Sequence, residues 1–366
     1  MTLVIGLVLL LFLILIHETG HFLFARLCGV KVESFSIGMG PVLLHHKTKK
    51  ETDFRISFIP LGGYCSMKGE KDLEECFETG NFPEDSFYGT HPLKRLLIAF
   101  AGPLANLVLS IACFTGIALA GYTYWSAGNV VEVIEELDGE VSPAYSAGLR
   151  SGDEIISIDG KQVFDFSDIS SCIAVKPLEE VRIEVLRNGE TLLFTAVPFL
   201  DKDTGAGKIG VKSDPSSVKE RAYPSLSFFP AVAEGTVKTF SSLAVTIKSV
   251  AVLFKGVNLT KVVSGPLRIT DFMGSSVKEG FKAGTKQGFI MILELMGIIS
   301  ISLFFTNMLP VGVFDGGLIL TAFVEWISGR RLPLKARMII QYSGLFLILV
   351  LMVFVLGGDI LYFIRK

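Results

Sequence analysis

Leu10-Leu11-Phe12-Leu13-Ile14-Leu15-Ile16-His17-Glu18-Thr19-Gly20-His21-Phe22-Leu23-Phe24-Ala25 closes an apolar run that opens at Leu3. A stretch of about 20 apolar residues is long enough to cross a bilayer as a helix. It has neither a basic leader nor a small-residue cleavage site after it, so it reads as a retained span rather than a signal peptide. On a helix, positions four apart share a face, so His17 and His21 can reach one metal with Glu18 beside it. Zinc accepts two neutral imidazoles and a carboxylate and keeps a fourth position for water, whose proton a neighbouring glutamate can take. The bland alternative is a polar patch lining a helix bundle. Ionisable groups within a span are costly, however, and default to a functional reading.

Such a site needs a third ligand, and few acids are found at membrane depth. Asn307-Met308-Leu309-Pro310-Val311-Gly312-Val313-Phe314-Asp315-Gly316-Gly317 lies between two apolar segments and carries Asp315. Pro310 and the glycines break the helical hydrogen bonding, which lipid tolerates only where backbone is buried or lines a cavity. Asp315 is therefore the candidate third ligand.

The rest of the chain agrees with a membrane setting. Of 366 residues, 50% are hydrophobic, 29 are Phe and 19% are charged, against about 25% charged in a soluble domain. A net charge of -2 gives no reason to expect a nucleic-acid partner. Five cysteines (28, 65, 76, 113 and 172) form no CxxC, which excludes a disulfide framework or a cysteine zinc site as the organising feature. Four spans are expected, near 3–27, 95–122, 289–309 and 338–356, with a shorter apolar stretch at 318–327. The loop after the first span carries Arg26, Lys31, Lys47, Lys49, Lys50, Arg55, Lys68, Lys71, Lys94 and Arg95, and the one before the fourth carries Arg330, Arg331, Lys335 and Arg337. The positive-inside rule makes that side cytoplasmic and puts both termini and the 125–285 region outside, with Arg365 and Lys366 in mild dissent.

Within that outer region, Val130 to Ile134, Asp153 to Gly160 and Val181 to Val185 alternate as strands. Ser142-Pro143-Ala144-Tyr145-Ser146-Ala147-Gly148-Leu149-Arg150-Ser151-Gly152-Asp153 resembles the core of bacterial PDZ domains, which take an extended peptide as an added strand. A plug that excludes bulky substrates is the other reading of such a domain. From Phe229 to Phe254 apolar residues recur every three or four positions, the stripe of an amphipathic helix.

HETGHF in the first span, Gly62-Gly63-Tyr64, AGPLAN at 101–106, the PDZ-like insert, SGP at 264–266 and NMLPVGVFDGG at 307–317 together resemble the site-2 protease family, in order and spacing its bacterial sigma-E-regulator branch. The likeness runs along nearly the whole chain. It implies a zinc intramembrane metalloendopeptidase, with one Zn2+ per chain, that cuts single-span proteins such as anti-sigma factors already trimmed by a site-1-type protease, or remnant signal peptides. By motif matching, His17, His21 and Asp315 take the metal and Glu18 is the catalytic base. Asn307 matches the family's substrate-binding asparagine. Gly38 and Gly40 match a membrane-dipping hairpin, and Gly62 and Gly63 are grouped with these substrate-binding positions. The sequence departs from the family's LPxPxLDGGH in having Gly312 for the second proline and Leu318 for the final histidine.

The expected fold is a polytopic α-helical membrane protein of about four spans, with an inserted extracytoplasmic PDZ domain (α+β) and a membrane-associated β-hairpin, in a bacterial inner membrane. Its parts are 1–124 with the HExxH helix, 125–212 as the PDZ domain, 213–285 as a linker with the amphipathic helix, and 286–366 with the NxxPxxxxDG motif. A non-enzymatic PDZ scaffold and a small transporter are the rival readings. A scaffold has no need of four polar residues in lipid.

Overall fold

The computed structural model describes residues 2–48 and 51–365, so Lys49, Lys50 and Lys366, which contributed to the charge reading, lie outside the described residues. The chain divides into two compact units. One comprises Met1–Leu119, Ser227–Leu243 and Ser264–Lys366, and the other Ala120–Leu226 and Ala244–Val263.

In chain order the helices are α1 (Thr2–Leu27), α2 (Leu73–Thr79), α3 (Pro92–Ala120), α4 (Pro143–Ala147), α5 (Phe166–Ala174), α6 (Phe228–Val252), α7 (Leu259–Val262), α8 (Pro266–Ala283), α9 (Thr285–Met308), α10 (Asp315–Ser328) and α11 (Leu334–Arg365). Among the described residues five helical stretches are long and apolar enough to cross a membrane: α1, α3, Phe228–Lys255, α9 and Leu334–Ile360. Four of them match the expected spans. The fifth is the stretch read as an amphipathic helix, and its length and apolar content reach those of a span.

In the helical unit, α1 ends where its apolar run ends. Val30 N–H reaches back to the Ala25 carbonyl at 2.8 Å, with Gly29 in the left-handed conformation that such a helix stop requires. α1 and α3 come together at Gly20, where a methyl group would lie 2.3 Å from the Ala101 carbonyl oxygen. The start of α3 is tied by charge to α10 and α11. Glu325 of α10 is 1% exposed and bonds Arg95 of α3 at 2.5 Å, Arg337 of α11, and the Leu332 N–H at 2.6 Å. A buried carboxylate between two guanidiniums keeps its charge only because every partner is present.

Between α1 and α3 run two long strands, β1 (Val32–Lys47) and β2 (Asp53–Met67), bent so that each is met twice. Ser34 to Ile37 lies against both Ser66 to Gly63 and Asp53 to Ile56, while Leu44 to Lys47 opposes Ile56 to Asp53. The two strands form an antiparallel hairpin, and Gly62-Gly63-Tyr64 is not at its turn. That segment lies inside β2, where Gly62 (φ +97°) supplies a bend.

The second unit is built on an antiparallel sheet of strands Glu190–Ala196, Val181–Arg187, Glu154–Ile158 and Lys161–Gln162, in that order. Leu149, Ile155, Ile169, Ile183 and Val185 fill its core. Ser142 caps α4 by accepting the Tyr145 N–H, and Asp165 caps α5 through the Asp168 N–H. Strand Lys219–Tyr223 pairs with Tyr122–Ser126, so residues 213–226, read as linker from sequence, pack with this unit.

Asp153 locks the sheet. It is 1% exposed and accepts two bonds from Arg187, at 2.6 and 2.7 Å, and one from the Arg150 N–H at 2.9 Å. Burial opposes its ionisation, but the Arg187 guanidinium and the Arg150 N–H outweigh it and hold the carboxyl below the usual range. A depressed folded-state pKa stabilises the fold above the ordinary carboxylate pKa, near ~4, and this is lost as pH falls through the folded value. Asp153→Ala is expected to cost about 3 kcal/mol at neutral pH and to flatten the acid-side loss of stability. Pulse proteolysis of this unit within the full-length protein, across urea and from pH 3 to 7, measures both.

Candidate metal centre

Three side chains from two distant parts of the sequence meet beside α3. His17 Nε2 lies 3.1 Å from Asp315 Oδ2, His21 Nε2 lies 3.3 Å from Asp315 Oδ1, and the two Nε2 atoms are 3.2 Å apart. Tetrahedral ligands at about 2.0–2.1 Å from an ion stand roughly 3.3 Å from one another. The three donor separations fit that figure.

The surroundings argue for the same use. His21 Nδ1 is 2.8 Å from the Ile98 carbonyl, which can only accept, so Nδ1 carries the hydrogen and the Nε2 lone pair faces the cluster. Asp315 Oδ2 is buried without a hydrogen-bond donor. Two imidazole lone pairs and a carboxylate oxygen at these distances call for a cation. Asp315 is also the first residue of α10, where the helix dipole favours negative charge.

Asn106, fully buried on α3, sets the second histidine. Its side-chain amide is 3.2 Å from His17 Nδ1, and the other end of the amide has no partner. The two orientations of an amide are told apart by their bonding. With Oδ1 turned to His17, Nδ1 donates and Nε2 is left free to bind. Gly102, one turn earlier on α3, gives the ring of His21 its room, since a methyl group there would lie 2.2 Å from Nε2.

The cluster opens on a cavity of about 410 Å³. Glu18 lines it, next to Gly63, so β2 runs directly beside the proposed base. Asn307, Gly62 and Gly63 line the same cavity. Gly38 and Gly40 contribute differently: both have left-handed backbone and flank Met39, whose side chain reaches the cavity. Gly38 also lies against the Ser57 and Ile59 carbonyls of β2, too close for a side chain.

Two neighbours were not singled out as site residues from sequence. Asn106 closes the AGPLAN stretch at 101–106. Its signal was an amide four residues after Gly102, hence on the same face, at membrane depth. Glu70 lies just beyond β2 and lines the cavity, its Oε2 accepting the Met67 N–H at 2.8 Å. Burial pushes its carboxyl up to about 7, against the pull of that N–H and of His21. Nothing in the spacing around Glu70 set it apart from the acids that follow it.

Comparisons with known proteins point the same way. The family model described as peptidase family M50 matches residues 5–351. A protein named as a candidate zinc metalloprotease in Treponema pallidum is 29% identical over 93% of this chain and 94% of its own length. Proteins similarly named in Agrobacterium fabrum and Campylobacter jejuni are 31% and 32% identical, each over 95% of this chain and over 92% and 90% of their own. The chain belongs to peptidase family M50, the site-2 protease family.

Replacing Asn106 by the isosteric but apolar Leu removes the acceptor for His17 Nδ1. Loss of such an outer hydrogen bond typically weakens metal binding 10- to 100-fold. Titration of the purified protein with Co2+, read from its tetrahedral d–d absorption, is expected to show that loss.

Proposed function

We propose that the chain is a zinc-dependent intramembrane endopeptidase that cuts the transmembrane segments of single-span proteins, anti-sigma factors or remnant signal peptides among them. The observation that carries this reading is the meeting of His17, His21 and Asp315 at ligand separations, with Glu18 beside them in a cavity. The names of the relatives add support for zinc. When bound, zinc activates water and polarises the scissile carbonyl.

The chain's own residues do the rest. Glu18 takes a proton from the attacking water and passes it to the leaving amine. A transmembrane helix hides its amides in internal bonds, so the substrate must unwind first. β2 from Gly62 to Met67 borders the cavity and offers backbone to pair with the freed segment as an added strand. Such pairing satisfies groups that lipid cannot. Asn307, on the same cavity, holds the substrate backbone near the metal.

We also propose that the protein sits in a bacterial cytoplasmic membrane with its two basic loops inside. Arg95 at the start of α3 and Arg337 at the start of α11 meet on Glu325, which supports one side for both loops. Leu293 of α9 packs on Gly116 near the far end of α3. This packing supports an even number of crossings between α3 and α9, with α6 not crossing by itself. The sheet unit then lies outside as a PDZ domain. It restricts what reaches the metal, by taking up a peptide end or by excluding bulky ectodomains.

Glu18→Gln is the test. The variant is expected to keep its zinc and to lose cleavage, so that single-span fragments accumulate in membranes compared by proteomics with wild type. Unchanged processing would sink the protease reading in favour of a scaffold. Purified protein with no Zn2+ affinity would favour a transporter.

A further inference from the structure

A second cavity, of about 330 Å³, adjoins the one at the metal cluster, and Glu70, Val313 and Leu318 line both. Its back wall is α11, through Ile340, Gln341 and Leu345. What brings α11 there is Gly312. A methyl group on Gly312 would lie 2.2 Å from the Ile340 carbonyl oxygen, and one on Gly344 would lie 2.8 Å from the Gly312 nitrogen. A proline at 312, as in the family pattern, would not admit the helix at this distance. The dividing wall is made apolar by Leu318, where the pattern has histidine. Both departures of this sequence from its family therefore shape one chamber.

Arg337 of α11 also lines that chamber. Its charge is met by Glu325, and its guanidinium lies 4.9 Å from the ring centre of Tyr88. Leu73, Val313, Leu318, Ile340 and Leu345 give the chamber apolar surface beside the compensated Arg337, which suits a large side chain with an apolar body. A carboxylate would lose its hydration there and face Glu70.

We propose that this second chamber receives the substrate side chain next to the scissile bond, and that it selects aromatic or long aliphatic residues at that position. The inference rests on the protease reading above. A segment held extended on β2 points successive side chains to opposite sides. A residue whose backbone lies at the cluster has a neighbour that meets the shared wall of Val313 and Leu318. Filling such a pocket typically discriminates by about 10- to 200-fold in kcat/KM.

The test uses full-length zinc-loaded protein in lipid nanodiscs and single-span substrates that differ at the residues flanking the cut, carrying Ala, Leu, Phe, Trp, Lys or Glu. Gln341→Trp, at an exposed position on the chamber wall, fills it. The ratio of kcat/KM for Phe over Ala is expected to fall at least tenfold, at one flanking position only. Leu345→Ala enlarges the chamber and is expected to raise the ratio of Trp over Phe at that same position. Unchanged zinc content and melting temperature confirm that each variant is folded. Cleavage with ratios unaltered by both variants, or altered equally at every position, overturns the chamber's role alone. Absence of any Glu18-dependent cleavage by the wild type overturns the protease reading and this inference with it.

Discussion

Two imidazoles and two carboxylates on helices built to face lipid form the constraint around which this protein is arranged. None of the four can stay there unless it is enclosed and partnered, and enclosure depends on how closely α3 approaches α1. Gly20 lets the Ala101 carbonyl come to where a side chain would be, and Gly102 gives its own missing side chain's place to the ring of His21. With the backbones that close, the Ile98 carbonyl and the Asn106 amide reach the outward nitrogens of the two histidines. Larger residues at either glycine would separate the helices by more than a hydrogen bond can span. Helix packing and metal chemistry are here one requirement.

The same enclosure explains why strands share this site with helices. A cavity walled only by helices presents side chains, because helical backbone is already satisfied. β1 and β2, folded back on themselves beside α1, place extended backbone at Gly62, Gly63 and Cys65 along the cavity. Gly63 there lies directly beside the Glu18 side chain. The base and the surface that would receive a substrate are therefore side by side. Backbone pairing reads no side chain, so preference for particular substrates has to come from the cavities around it.

Much of this was legible in the sequence because its signals are long or chemically unusual. Runs of about 20 apolar residues gave four helices to within a few positions. HExxH in lipid and an acid at a Pro/Gly break identified ligands that the fold brings within 3.3 Å of each other. Signals that depend on distant partners were lost. Gly62-Gly63 reads as a turn, yet it bends the middle of β2, because the pairing with Ile37 and Ser36 is invisible to local pattern. Strand Lys219–Tyr223 finds its partner about a hundred residues earlier, so a linker was read where a strand lies. Asn106 and Glu70 matter through what they face, and spacing reports only the element on which a residue sits.

The break that delivers Asp315 shows how a lost local constraint is replaced by packing. The family pattern stiffens this loop with a second proline, and Gly312 instead leaves it the most permissive residue available. What restrains it is α11, which is held at three heights. Arg337 anchors its start on Glu325. Gly344 and Ile340 press on Gly312 in the middle. Near its end, buried Asp359 accepts the N–H groups of Gly265, Leu267 and Arg268, capping the first turn of α8. A helix held in this way cannot drift from the loop without breaking a buried ion pair or uncapping another helix. Each such loss costs on the order of 1–5 kcal/mol, more than the fixed φ of one proline contributes. Asp315 is thus positioned from behind by α11 and by the start of its own helix, and the glycine that removes rigidity from the chain is the same glycine that lets the brace come close enough to restore it.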